Sequence, residues 1–135
     1  MAIIQWKDNL SVNISEIDEQ HKMLVTMIND LHDAMKLGKG KDALGDILNN
    51  LATYTVGHFG TEEKYFEQFD YPDTLSHRKE HQAFTEKVTG FIGSFNDGKA
   101  VLSMDVMSFL KDWLINHIQG SDKQYGPFLN SHGLN

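Results

Sequence analysis

Two pairs of metal-ligand residue types, His58 with Glu62 and His77 with His81, lie on either side of a Tyr71-Pro72 break. Residues four apart are neighbours on one face of an α-helix, so each pair aims two donor atoms at one point. The break turns the chain back and sets the two pairs opposite each other. This is half of a metal cage, and it confines the chain to folds in which helices pack side by side.

The remaining segments supply such helices. Residues 1–17 lack helical periodicity and read as an extended arm over the bundle, with Trp6 as packing. A first helix over 18–37, capped by Ser15 or Asp18 and stopped by Gly38 and Gly40, carries the stripe Leu24, Val25, Ile28, Leu31 and Met35, which His21 extends toward its start. His32 shares that face but lies roughly 16 Å further along the axis, too far to serve the same centre. A second helix over 42–69 runs from Leu44 through Leu48, Leu51 and Thr55 to His58, Glu62, Phe66 and Phe69; Glu63 and Glu67 point elsewhere and read as solvated. A third over 73–95, capped by Asp73, Thr74 or Ser76, places His77 and His81 ahead of Phe84, Val88, Phe91, Ile92 and Phe95, and ends at Asn96-Asp97-Gly98.

A fourth helix over 103–121, capped by Ser103, presents Val106, Phe109, Leu110, Trp113, Leu114 and His117 on one face. Asp122 follows five residues after His117, which in an ideal α-helix leaves the two side chains roughly 140° apart. Both reach one site only if the helix ends or loosens there, so a π-type turn or a terminus is expected at Gly120-Ser121. The tail, 122–135, is expected to fold Tyr125 and Phe128 back on the bundle, with His132 exposed.

Short loops favour an all-α, antiparallel up-down-up-down four-helix bundle, one domain over 1–135 with an N-terminal arm and a short C-terminal tail. In that order the start of the first helix, the end of the second, the start of the third and the end of the fourth share one layer. All seven candidates fall in it: His21, His58, Glu62, His77, His81, His117 and Asp122. Burying so many polar groups without partners costs about 2 kcal/mol or more for each, and a metal supplies the compensation.

Composition narrows the chemistry. Cysteine is absent, so thiolate sites and disulfides are excluded. The net charge of −7 with scattered lysines argues against nucleic acid and anionic membranes, and the Gly38 to Lys41 stretch reads as a solvated loop. No run is long and apolar enough to span a bilayer, and Gln5, Lys7, Asp8 and Asn9 stand where a signal peptide needs apolar residues, so a soluble, cytoplasmic protein is expected. Seven ligands exceed the four of one zinc. Two carboxylates and one solvent-derived oxygen bridging two metals, with three histidines on one and two on the other, give six ligands and five, leaving an open position for a small molecule. Imidazole with carboxylate suits iron.

The residues Trp6, Ser11-Val12, Ile17-Asp18, Gln20-His21, His58-Phe59, Glu62-Glu63, Tyr71-Pro72, His77, His81, Trp113-Leu114, His117 and Asp122 closely resemble the bacterial hemerythrins over essentially the whole chain. The resemblance implies two iron ions, oxo- or hydroxo-bridged. His77, His81 and His117 would hold a six-coordinate iron, His21 and His58 a five-coordinate one, and Glu62 and Asp122 would bridge. It implies reversible binding of dioxygen, held as hydroperoxide on the five-coordinate iron, for storage, delivery or sensing. Trp113 and Leu114 fall where that family lines its oxygen pocket; plain core packing is the other role open to them. A non-enzymatic binder is expected, since neutral imidazoles dominate where di-iron oxidases of ferritin-like bundles use more carboxylates. An enzyme acting on peroxide, nitric oxide or ferrous iron is the alternative, and a purely structural metal site a third. A redox partner protein remains open.

Overall fold

The computed structural model describes residues 3–38, 41–97 and 104–135, with the side chains of 41–43 and 104–106 left aside. It is an all-α four-helix bundle. The helices are α1 (Ser15–Lys36), α2 (Lys41–Phe69), α3 (Thr74–Asn96) and α4 (Met104–Asn116), followed by a π-helical stretch, His117–Asp122, and by α5 (Lys123–Ser131). Helix α1 packs on α2 and α4, and α2 packs on α3. The expected Ser103 cap, the Gly98 turn, the Gly40 stop and the Val106 side chain lie outside the described residues, as do two positions of the Gly38 to Lys41 loop. Among the described residues no helix is long and apolar enough to cross a membrane.

The core follows the apolar stripes: Leu24, Ile28 and Leu31 of α1, Leu48, Leu51 and Phe66 of α2, Phe84 and Val88 of α3, and Met107, Leu110 and Leu114 of α4 are all buried. The α2–α3 reversal is set locally. Asp70 adopts a left-handed φ of 54°, and the N–H of Tyr71 donates to the Phe66 carbonyl at 3.0 Å. This is a Schellman closure with Asp70 where glycine is usual, and its customary apolar contact is the Phe66–Tyr71 ring pair at 4.9 Å. Pro72 then prevents the helix from resuming before Thr74.

Helix α1 starts at Ser15, and neither expected cap performs that role: its N-cap is Ile14, with no side-chain cap bond. The Asp18 carboxylate instead accepts from the Val12 N–H at 2.8 Å and the Ser11 hydroxyl at 2.6 Å, tying the arm to the first turn. The N-cap of α3 is Asp73, again without a side-chain cap bond, and the Thr74 hydroxyl donates to the Tyr71 carbonyl at 2.6 Å. Further along the arm, the Asn29 side chain accepts from the Ile4 N–H and donates to its carbonyl, each at 2.9 Å. One amide side chain thus pairs with the arm as a neighbouring strand would. Trp6 packs on the core, with the Lys22 ammonium 5.5 Å above its ring.

The C-terminal stretch, expected as a tail, is helical over most of its length, because the π-helical stretch lets the chain continue instead of stopping it. Tyr125, Gly126 and Leu129 are buried on the bundle side of α5, while exposed His132 stacks on Phe69 and meets Phe128 at a tilt. At Gly126 a Cβ would lie 2.8 Å from the Val12 carbonyl oxygen, a backbone atom that cannot step aside. Substituting Gly126→Ala is therefore expected to destabilise the protein by about 1–3 kcal/mol. Gly57→Ala, in open space on α2, is expected to stabilise it by about 0.5–1 kcal/mol through helix propensity. Urea denaturation of the two variants checks both signs.

Candidate metal centre

The seven residues singled out from the sequence all meet at one end of the bundle, and all are buried. They form two overlapping groups, each with one donor atom per residue within 4.8 Å of the others: Glu62, His77, His81, His117 and Asp122, and His21, His58, Glu62 and Asp122. Glu62 and Asp122 belong to both. His32 belongs to neither.

Each element delivers its side chains by simple periodicity except the last. His58 and Glu62 lie one turn apart on α2, His77 and His81 one turn apart on α3, and His21 sits on the buried face of α1. His117 and Asp122 open and close the π-helical stretch, where the widened turn brings residues five apart onto one face. The loosening expected at Gly120-Ser121 thus spans the whole interval from His117 to Asp122.

Distances within the cluster are short. Asp122 Oδ1 lies 2.9 Å from His77 Nε2 and 3.0 Å from His117 Nε2, while its Oδ2 lies 3.0 Å from His21 Nε2. Glu62 Oε1 lies 3.3 Å from His58 Nε2 and 3.2 Å from His81 Nε2. Two ligand atoms in adjacent positions on one cation, each bonded at about 2.1 Å, are about 3.0 Å apart.

The tautomers sharpen this point. His58 Nδ1 meets Gln20 Oε1 at 2.6 Å, His81 Nδ1 meets Glu63 Oε2 at 3.0 Å, and His117 Nδ1 meets Glu80 Oε1 at 3.2 Å. All three partners are acceptor oxygens, so the ring proton sits on the outer nitrogen and the inner Nε2 presents a lone pair. The Nε2 atoms of His21, His77, His81 and His117, together with Glu62 Oε1 and both Asp122 oxygens, are buried without a hydrogen-bond partner. Lone pairs facing lone pairs repel, and a shared cation converts every one of these contacts to attraction.

These outer partners were not legible from spacing. Glu63, expected to be solvated, instead bridges His81 and the Arg78 guanidinium, whose Nε lies 3.0 Å from it; the helix face that looks past Glu62's site looks onto α3. Glu67, exposed, pairs with Arg78 at 2.8 Å. Gln20, Glu63 and Glu80 each adjoin a candidate ligand in sequence, yet each serves a histidine on the next element: α1 holds α2, α2 holds α3, and α3 holds the π-helical stretch. Ser121 adds a 2.6 Å bond to Glu80. Phe59 stacks on His81 at 3.8 Å and Trp113 on His117 at 4.4 Å, while Leu114 is buried in the core. Tyr125, assigned only to packing, donates its hydroxyl proton to Glu62 Oε2.

The profile of the hemerythrin HHE cation binding domain matches residues 12–129. This chain belongs to the hemerythrin family. It is 38% identical to a bacteriohemerythrin of Pseudomonas aeruginosa (strain LESB58), covering 93% of this chain and 80% of the relative. The bacteriohemerythrin of Methylococcus capsulatus (strain ATCC 33009 / NCIMB 11132 / Bath) is 34% identical over 97% of this chain and 100% of its own. A wild-type hemerythrin crystal structure superposes with a TM-score of 0.89 at 34% identity, covering 93% of this chain and 97% of the other. As a hemerythrin, the chain unites the family's fold with a histidine and carboxylate cluster able to hold metal.

Charge is shared unevenly among the side chains of the cluster. Burial, helped by His21 and His81, outweighs Glu62 and Asp122 and lowers His58 to about 4. Burial also pulls His117 down, but the charge of Asp122, 3.0 Å away, with Glu62 and Glu80, raises it to about 9. The Asp122 carboxyl is held well below its ordinary value: burial works against its charge, and His117 above all, with His21 and His77, overrides it. One proton on His117 thus offsets part of the carboxylates' charge. Because its folded pKa is raised, this stabilisation is complete below the unfolded value near 6.5 and is lost as pH climbs through about 9, a decline of about 3 kcal/mol. Urea unfolding of metal-free protein from pH 6 to 10 is expected to show that decline, and metal-loaded protein to lack it.

Proposed function

We propose that this hemerythrin binds dioxygen reversibly at a di-iron centre. His77, His81 and His117 hold one iron, His21 and His58 the other, and Glu62 and Asp122 reach both. The observation that carries the reading is the partnerless inner Nε2 atoms facing two carboxylates shared between a three-histidine and a two-histidine group. A pair of irons held this way supplies the electrons and the open coordination position that reversible dioxygen binding needs.

The chain's own residues do the rest. Gln20, Glu63 and Glu80 fix three imidazoles in the tautomer that offers Nε2 inward. Phe59 and Trp113 cover His81 and His117 with apolar ring faces, and Leu114 is buried one residue on from Trp113. We assign Trp113 and Leu114 to the wall of the dioxygen pocket, where they exclude water. An apolar wall offers no proton to a bound oxygen species, which favours binding and release over turnover.

The reduced, iron-loaded protein is expected to carry about two irons per chain. It is expected to colour in air and bleach again under argon over repeated cycles, followed by absorbance. Steady consumption of peroxide in place of such cycles would show an enzyme. His77→Ala is expected to lower the iron content measured by metal analysis, and His32→Ala to leave it unchanged; equal loss in both would misplace the centre.

A further inference from the structure

The two shared carboxylates are not alike. Both Asp122 oxygens lack a hydrogen-bond partner, whereas Glu62 has one free oxygen, Oε1, and one, Oε2, that accepts the Tyr125 hydroxyl proton. Tyr125 is fully buried on α5, its ring packed against Phe66 at 5.1 Å, His77 at 5.5 Å and Tyr71 at 6.3 Å. Those rings fix the phenol, so its hydroxyl has a set partner. In such apolar surroundings a hydrogen bond to a carboxylate is strong.

We propose that Tyr125 is a positioning residue that holds Glu62 by its Oε2 and, by drawing charge from that carboxylate, favours the ferrous form of the centre and slows its irreversible oxidation. This rests on the di-iron reading above. A carboxylate is an anionic donor, and ferric iron gains more from it than ferrous iron does. A phenol donating to that carboxylate weakens it more where it matters more, which raises the reduction potential. Asp122, without such a donor, remains the stronger of the two. The asymmetry originates in the π-helical stretch, since the extra residue there turns α5 so that Tyr125 faces Glu62.

Two substitutions at one position grade the donor while keeping the ring: Tyr125→Phe removes it, and 3-fluorotyrosine, a more acidic phenol, strengthens it. In iron-loaded proteins of equal iron content, the midpoint potential is expected to rise in the order Phe, Tyr, fluorotyrosine. Autoxidation in air is expected to be about tenfold faster in Tyr125→Phe than in the wild type. In the iron-free protein, the Tyr125 hydroxyl proton is expected as a slowly exchanging NMR resonance with cross-peaks to the Phe66 and His77 rings, absent from Tyr125→Phe. Equal potentials across the series, or a rapidly exchanging hydroxyl, overturn the proposal. So does loss of iron from a folded Tyr125→Phe, which would make the residue a mere strut. If the phenylalanine variant does not fold, the fluorotyrosine protein decides alone, and a potential at or below the wild type's overturns the idea. Wild-type protein that takes up iron without reversible dioxygen binding would sink the functional reading, while the order of potentials would still judge Tyr125.

Discussion

Glu62 and Asp122, two carboxylates with no access to water, are the constraint around which this bundle is arranged. A buried carboxylate is tolerated only when its charge is matched, and here the nearest groups are imidazoles, three of which (His58, His81 and His117) have their outer nitrogens already committed to other acceptors. The site is therefore a set of electron pairs waiting for positive charge. A proton on His117 meets part of that need, and bound metal would meet the rest. The fold holds this arrangement because apolar packing elsewhere, from Ile14 to Leu129, carries the cost of a polar end.

The outer contacts explain how four helices act as one frame. Gln20, Glu63 and Glu80 each hand an oxygen to the ring on the following element, so His58, His81 and His117 are each oriented from a neighbouring element. Tyr125 adds a contact from α5 to α2. A shift of any one helix is then resisted by the next. The arm contributes through Val12, whose carbonyl fills the space a side chain at Gly126 would occupy.

Much of this was legible in the sequence because it rests on periodicity. Spacings of four placed His58 with Glu62 and His77 with His81, the alternation of helix direction placed all seven candidates in one layer, and the misfit of a five-residue interval foretold an irregular helix between His117 and Asp122. What escaped depends on neighbours distant in sequence. Glu63 reads as solvated when only its own helix is considered, and only the packing of α3 beside α2 brings Arg78 and His81 to it. The caps at Ser15 and Asp18 failed for a similar reason: Asp18 had a stronger use in closing the arm through Ser11 and Val12. Tyr125 escaped because the stretch after Asp122 had no stripe long enough to suggest a helix.

The π-helical stretch has a mechanical consequence. It carries one nitrogen donor at its first residue and one carboxylate at its last, and the chain runs on through it without a break. Sliding or twisting the C-terminal rod would displace both donors together and drag the phenol behind them. An extra residue that looks like a flaw in the coil thus works as a rigid coupling, locking the end of the chain in step with the pocket it closes.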